Sequence, residues 1–257
     1  MEILIGLTIP FLGTTIGAAL VFLLRNKISG KTNKAMCGFA AGVMVAATFW
    51  SLLQPAFEQA GEGIGNAWPV PAGFIAGICF LLFLDTIVPH QHIEEKNPEG
   101  PKSRLPRSIK MILAVALHNI PEGMAVGVVL AGAASGNTGL TVSGAIALSI
   151  GMAIQNIPEG AIISVPLRSE GKSRPAAFTW GALSGLVEPI AAILTMLFIE
   201  NSSGTMPVLL AFAAGAMIYV VVEELVPSSQ AGEHSNIGTI GFATGFVLMM
   251  MLDVILN

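Results

Sequence analysis

Eight apolar stretches, each about as long as a membrane span, dominate this chain and limit what it can fold into. They cover residues 3–24, 35–56, 68–89, 109–131, 139–165, 176–198, 206–226 and 237–256. A helix needs about 20 apolar residues to cross a hydrocarbon core of about 30 Å, so each stretch is long enough to span a bilayer. Only 11% of the residues are charged, whereas soluble domains carry roughly 25%. The sequence therefore predicts an all-α, polytopic membrane protein in which residues 1–257 form one transmembrane domain.

The lysines and arginines indicate how these helices are oriented. All 12 of them lie between helices one and two, three and four, or five and six, or at the start of helix four. Because Lys and Arg concentrate on the cytoplasmic side of membranes, the long connection at about residues 90–108 is predicted to be cytoplasmic and both termini extracytoplasmic. We expect a multi-pass protein of the inner (cell) membrane, in contact with the lipid bilayer. A formal net charge of −4 does not favour a nucleic-acid partner.

An internal repeat supports the count of eight helices. The segment FAAGVM at residues 39–44 of helix two matches FAAGAM at 212–217 of helix seven, and a proline follows at a similar distance, at Pro55 and Pro227. The charge distribution makes helix two run outward and helix seven inward, so the repeat has inverted topology. Transporters built on such repeats commonly place their substrate site near the membrane midplane.

The strongest chemical signal is a hexapeptide that occurs twice, HNIPEG at 118–123 and QNIPEG at 155–160. Helical spacing places the first side chain of each copy and its glutamate on one face, one turn apart. With a rise of about 1.5 Å per residue, both copies lie within about 14–18 Å of the same surface. The motifs of helices four and five are therefore expected to meet across an antiparallel pair, which makes these helices a second repeat pair.

Carboxylates at this depth need a counter-charge. No lysine or arginine lies near Glu122, Glu159 or Glu188, the last of which is predicted at the same level in helix six. A divalent metal ion is the natural counter-charge, as a bound substrate rather than a catalytic cofactor. Imidazole, carboxylate and amide oxygens suit Zn²⁺, Cd²⁺, Fe²⁺ or Mn²⁺ better than Ca²⁺. Cys37 and Cys79 lack metal-ligand spacing and are predicted to be core thiols.

Other polar residues are candidates for the route to and from this site. Ser51 continues the polar face of helix two toward the outside. His90 and His92, in the cytoplasmic connection, either are solvated or capture metal ions. Near the inner end of helix seven, Glu223 and Glu224 either belong to an exit path or an accessory site, or are solvated.

The two hexapeptides, Glu188 and the eight-helix plan together resemble the ZIP (zinc/iron-regulated transporter-like) family, of the short bacterial type, over nearly the whole chain. The resemblance implies a metal transporter rather than an enzyme, with a binuclear metal centre between helices four, five and six. It implies a first metal held by His118, Glu122, Gln155 and Glu159, with the Met44 thioether approaching from helix two. It implies a second metal held by Asn119, Glu122, Asn156, Glu159 and Glu188.

One departure from the family pattern concerns the second metal. Some relatives have Asp where this chain has Asn156, and an amide in place of a carboxylate removes one negative charge. The second position is therefore expected to be weaker or absent here, which leaves one essential metal. The resemblance further implies import into the cytoplasm by elevator-like alternating access.

Three alternatives stay open at this stage. A metal-selective channel could use the same residues, and a membrane metal sensor would bind without transport. An intramembrane zinc metallohydrolase would normally need more histidines, whereas the predicted spans contain only His118. Metal preference, energy coupling and a homodimeric state are not decided by the sequence.

Overall fold

The computed structural model of the protein describes residues 1–23, 28–91, 98–137, 139–200 and 204–256. Within these ranges, eight helices are long and apolar enough to cross a membrane. They are α1 (Glu2–Phe22), α2 (Gly30–Ala60), α3 (Gly65–Ile87), α4 (Arg107–Ala134), α5 (Val142–Ser169), α6 (Arg174–Ile199), α7 (Met206–Gln230) and α8 (Ile237–Leu256). The predicted all-α fold with eight spans is confirmed.

The helices pack as two groups of four. In the first group α1 lies against α5 and α4 lies against α6, and in the second α2 lies against α8 and α3 against α7. The sequence repeat relates α2 to α7 and α4 to α5. The same relation makes the α2–α8 pair equivalent to the α7–α3 pair, and the α5–α1 pair equivalent to the α4–α6 pair. The packing of the helices therefore follows the inverted repeat.

The glycine of the FAAG repeat serves the same purpose in both halves. Gly42 packs against the backbone of Phe242 in α8, and Gly215 packs against the backbone of Phe74 in α3. A Cβ atom at either position would overlap the carbonyl oxygen of its partner residue. Small residues that allow backbones to touch are the usual basis of tight helix pairs in membranes.

Both repeat helices contain a π-helical segment, which the sequence did not predict. It covers Thr48–Leu53 in α2 and Val221–Leu225 in α7, in each case between the methionine of the repeat and the following proline. A π-helical turn shifts the phase of the side chains that follow it and often occurs at functional sites. Ser51 lies in the first segment and Glu224 in the second.

Helix α6 is interrupted at mid-depth. Its two α-helical parts are Arg174–Ser184 and Val187–Glu200, and the turn between them places Glu188 in the first turn of the second part. The backbone N–H of Glu188 donates to the carbonyl of Gly185 at 3.1 Å. Interrupted membrane helices are typical of substrate sites, where unwound backbone borders a polar region.

Apolar side chains cover the outside of the bundle. On α3, Ile75 is 60% exposed and Phe83 58% exposed. Cys79 lies on this same helix and is exposed, so the prediction that it is a core thiol is wrong, whereas Cys37 is buried. The sequence could not separate the two because a lipid-facing surface and a protein core are equally apolar.

Candidate metal centre

Six polar residues of α4, α5 and α6 are buried together at the level of the α6 interruption, and we call them the carboxylate cage. Each is at most 8% exposed. The members are Asn119 and Glu122 of α4, Gln155, Asn156 and Glu159 of α5, and Glu188 of α6. The sequence prediction placed the same six residues at one depth on the same three helices.

The α5 side of the carboxylate cage is held by a chain of hydrogen bonds. The Gln155 side-chain amide donates to Asn156 Oδ1 at 2.5 Å, and Asn156 Nδ2 donates to Glu188 Oε2 at 2.7 Å. The other oxygen of Glu188 accepts a bond of 2.9 Å from the hydroxyl of Thr14 in α1. Thr14 is fully buried and was missed by the sequence prediction, because nothing local distinguishes it from other small residues of α1.

The α4 side is different, because its glutamate lacks such bonds. Gln155, Asn156 and Glu159 approach the Glu122 carboxylate, yet neither of its oxygens makes a hydrogen bond of standard geometry to any described residue. Three more acceptors of the carboxylate cage are in the same situation, namely Asn119 Oδ1, Gln155 Oε1 and Glu159 Oε2. Buried acceptors without donors are costly, and a cation held by the neighbouring carboxylates of Glu122 and Glu159 would satisfy their oxygens.

Electrostatics favours a cation in the same place. Glu159 lies close enough to Glu122, Glu188 and Glu224 for their charges to interact. Between Lys110 and Arg168 the sequence contains no lysine or arginine. Ionised carboxylates that repel one another in a medium of low dielectric constant are stabilised by a bound metal ion.

His118 contacts a glutamate of α7 that lies outside the carboxylate cage. Its Nδ1 atom contacts Glu224 Oε2 of α7, whereas the neighbouring Asn119 donates to the backbone carbonyl of Ser184 at 3.0 Å. The sequence analysis named both Glu223 and Glu224 as pathway candidates; Glu223 is exposed, whereas Glu224 contacts the histidine. Helix periodicity alone does not fix which of two adjacent glutamates faces inward next to a π-helical segment.

Two neighbouring cavities lie between the cage and one end of the bundle. His118, Glu159 and Glu224 line a small cavity of about 40 Å³. This small cavity shares Asn33 and Ile162 with a larger one of about 470 Å³, the inner cavity, which reaches the ends of α2, α4 and α5. These ends carry lysines and arginines, so we call this the basic end of the bundle.

Three methionines are fully buried near the depth of the cage. Met44 of α2, Met152 of α5 and Met217 of α7 have no exposed surface and belong to the main hydrophobic core. Met44 therefore fills the core in this conformation, and its role as a metal ligand stays a prediction. Farther along α2, the buried Ser51 hydroxyl donates to Asp253 of α8 at 3.2 Å.

Comparison with known proteins decides the family. Residues 89–253 match the family model described as ZIP Zinc transporter. The chain is 35% identical to zinc transporter ZIP11 of Homo sapiens, over 94% of this chain and 93% of that protein. It is 37% identical to zinc transporter ZIPB of Bordetella bronchiseptica, over 96% and 79% of the two chains, and 37% identical to zinc transporter GufA of Myxococcus xanthus, over 95% and 96%.

The chain belongs to the ZIP family. This membership supports metal-ion transport as the class of activity and confirms the prediction that the protein is not an enzyme. It also agrees with the eight apolar helices in making this a multi-pass membrane protein.

This ZIP protein has a second cluster of metal-ligating groups at the basic end, beyond α3. The Nε2 atom of the buried His90 lies 3.1 Å from Asp85 Oδ1 and 3.6 Å from Glu99 Oε2. One ligand atom from each residue falls within 4.8 Å of the others. The sequence prediction named His90 but not these two carboxylates, and His92 lies outside the described residues.

Proposed function

We propose that this ZIP protein carries divalent transition-metal ions across the membrane and into the cytoplasm through the carboxylate cage. The observation that carries the proposal is the set of five buried acceptor oxygens around Glu122 and Glu159 that have no hydrogen-bond donor in the described structure. Zinc is the first candidate because the relatives are named zinc transporters. Cadmium, iron(II) and manganese(II) ions have related ligand preferences.

The first metal position would be centred on Glu122 and Glu159. Gln155 Oε1 is a buried acceptor beside them, and a rotation of His118 away from Glu224 would bring an imidazole nitrogen to the same ion. Four ligands of mixed nitrogen and oxygen type suit Zn²⁺. Met44 is the candidate for a fifth, weaker ligand in another conformation of the protein, in which α2 and α4 are arranged differently relative to each other.

The second metal position is proposed to be weak. Both oxygens of Glu188 already accept hydrogen bonds, from Thr14 and from Asn156. A metal bound there would have to replace these bonds, and Asn156 offers an amide instead of a charge. The protein is therefore proposed to need a single metal ion, with Asn119 and Asn156 shaping its surroundings rather than forming a binuclear centre.

The direction of transport follows from the basic end. With this end facing the cytoplasm, as the distribution of lysines and arginines predicts, the small and inner cavities lie on the exit side of the cage. Ser51 and Asp253 then lie toward the entry side. The cluster of Asp85, His90 and Glu99 would receive the ion on the cytoplasmic side.

Elevator-like movement is proposed because the cage belongs to one helix group. The backbone of Glu188 packs on Gly123, and that of Thr14 packs on Gly160, so α1, α4, α5 and α6 are joined tightly around the site. Their contacts with α2, α7 and α8 are less extensive. Movement of the first group against the second would carry the cage from one side of the membrane to the other.

The test is metal flux into liposomes that contain the purified protein. Zn²⁺, Cd²⁺, Fe²⁺ and Mn²⁺ are added separately, with and without a pH gradient, and uptake is compared with protein-free liposomes. We expect saturable, protein-dependent Zn²⁺ uptake. Tight binding without uptake would favour a sensor, and metal-dependent hydrolysis without uptake would favour an enzyme; either result would overturn the proposal.

A further inference from the structure

Thr48 of α2 has a buried hydroxyl that lacks a hydrogen-bond partner among the described residues. The residue is 2% exposed, and its Oγ1 atom makes no bond of standard geometry. A threonine inside a helix can donate to the carbonyl oxygen about one turn earlier. Six other threonines of the membrane helices do so, at distances of 2.7–3.0 Å: Thr8, Thr15, Thr86, Thr179, Thr195 and Thr244. The hydroxyl of Thr48 therefore differs from the usual threonine in these helices.

The inverted repeat shows that packing does not require this hydroxyl. Thr48 follows Met44 by the same number of residues as Val221 follows Met217, and each is the first residue of its π-helical segment. Val221 is 3% exposed, so a valine is accommodated at the equivalent buried position. Valine has nearly the shape of threonine without its oxygen, whereas a buried hydroxyl without a partner is costly. The oxygen of Thr48 thus indicates a need other than packing.

Thr48 lies beyond the carboxylate cage, on the side away from the basic end. Val43 of α2 lies beside Gly151 of α5, which is one turn from Gln155 of the cage. Because α2 begins at the basic end and rises about 1.5 Å per residue, Thr48 is about 7 Å farther from this end than Val43. This is the entry side in the proposed direction of transport.

On this side Thr48 belongs to one buried face of α2. Met44, Thr48 and Ser51 are all buried and have the spacing i, i+4, i+7 of residues on one helix face. The Ser51 hydroxyl donates to Asp253 at 3.2 Å. Between Met44 and Ser51, Thr48 is the only residue with a side-chain oxygen. An ion that moves along this face toward the cage would meet no other side-chain oxygen of α2 on the way.

We infer that Thr48 is a transient oxygen ligand for divalent metal ions on the entry route, where its hydroxyl replaces one water molecule of the incoming ion. The hydroxyl keeps its proton, so the ion reaches the cage with its charge unchanged. A hydroxyl is a hard ligand, which suits Mn²⁺ and Zn²⁺ better than the softer Cd²⁺. The inference rests on the proposed function, because the ion reaches Thr48 only when the two helix groups move and open this route.

Three variants of the full-length protein separate the oxygen from the shape of the side chain. Thr48→Val removes the oxygen and reproduces the residue of the equivalent position in α7. Thr48→Ser keeps the oxygen and removes the methyl group. Thr244→Val is the matched control, because Thr244 is exposed on α8 and its hydroxyl donates only to the carbonyl of Ile240 at 2.8 Å.

The experiment measures stability, binding and uptake for each variant. In lipid nanodiscs without metal, Thr48→Val should unfold at the wild-type temperature or higher, because it loses a buried hydroxyl that has no protein partner. Its Zn²⁺ affinity, measured by titration calorimetry, should be unchanged because the cage is intact. In liposomes at low metal concentration, its initial rate of Zn²⁺ uptake should fall at least about fivefold. The loss should be larger for Mn²⁺ and smaller for Cd²⁺. Thr48→Ser should retain most of the uptake, and Thr244→Val should transport like the wild type.

Three results would each overturn the inference. The first is uptake of all three metals at the wild-type rate by Thr48→Val. The second is a lower unfolding temperature of Thr48→Val, which would assign the hydroxyl to packing. The third is an equal loss of uptake in Thr48→Ser, which would assign the role to the methyl group. Wild-type protein without any uptake would overturn the proposed function together with this inference, whereas an unaffected Thr48→Val beside an active wild type would overturn the inference alone.

Discussion

The two hexapeptides of α4 and α5 differ in one residue, His118 against Gln155, yet their surroundings differ much more. Both place a glycine against the backbone of a neighbouring helix, Gly123 on α6 and Gly160 on α1. On α5 the two amides join Glu188 in a continuous chain of hydrogen bonds. On α4 the glutamate has no such bonds to described residues, and the histidine contacts α7 instead.

The two hexapeptides therefore contribute different groups to the proposed metal site. The α5 copy provides two amides that are hydrogen-bonded to each other and to Glu188, and a glutamate, Glu159, whose Oε2 atom has no donor among the described residues. The α4 copy provides a glutamate, Glu122, neither of whose oxygens has a donor among the described residues, and an imidazole that contacts Glu224 and lines the small cavity. The His-to-Gln difference falls where the two copies have different partners, Glu224 of α7 for His118 and Asn156 of the cage for Gln155.

Removal of the unsatisfied charge should have the largest effect. Glu122→Gln keeps the shape of the side chain but loses the charge around which the cage is proposed to bind metal, so Zn²⁺ uptake by liposomes should fall to the protein-free background. Glu62→Gln, at an exposed position before α3, is the control and should transport normally. Uptake at the wild-type rate by Glu122→Gln would contradict the proposed site.

Making the two copies identical should weaken metal binding but not abolish it. His118→Gln removes one proposed ligand and the contact with Glu224, and we expect the Zn²⁺ affinity to fall at least about tenfold, or about 1.4 kcal/mol. Isothermal titration calorimetry measures this change. The reciprocal variant, Gln155→His, breaks the hydrogen bond to Asn156 and should not restore affinity when the two changes are combined. Full recovery in the double variant would mean that the copies are interchangeable.

A negative charge at position 156 of α5 should alter the number of bound metal ions. Asn156→Asp replaces the hydrogen bond to Glu188 by repulsion between two carboxylates, so the metal-free protein should unfold at a lower temperature. Zn²⁺ should reverse this loss, and the binding stoichiometry should rise from one to two. A thermal-shift assay with and without Zn²⁺, together with the titration, tests both statements. An unchanged stoichiometry would count against a second position at this residue.

The smallest effect is expected for Thr14, which donates a hydrogen bond to Glu188 from α1. Thr14→Val removes one of the two hydrogen bonds to Glu188, which is worth about 1 kcal/mol in a typical case. Stability toward denaturant should fall by this amount, and Zn²⁺ uptake should be reduced rather than lost. Thr14→Ser retains the hydroxyl and should behave like the wild type in both assays. Equal defects in the Val and Ser variants would assign the role of Thr14 to packing alone.

Much of this architecture was accessible from the sequence because it depends on local properties. Hydropathy over about 20 residues defined the eight spans. Residues such as Glu122 stood out because a carboxylate within an apolar span is costly unless it has a counter-charge. The contact between His118 and Glu224 was not accessible, since it depends on the phase of a π-helical segment in another helix. Nor was the role of Thr14, which is set by contacts between α1 and α6, or the exposure of Cys79, which apolar composition cannot reveal.

The most direct test of the central claim is to locate zinc by anomalous X-ray scattering from crystals of the full-length protein soaked in Zn²⁺. The strongest zinc peak is expected between Glu122 and Glu159, with carboxylate oxygens about 2.0–2.2 Å from the ion. The same peak should vanish in Glu122→Gln crystals. Zinc bound only at the cluster of Asp85, His90 and Glu99, with no peak in the carboxylate cage, would contradict the account.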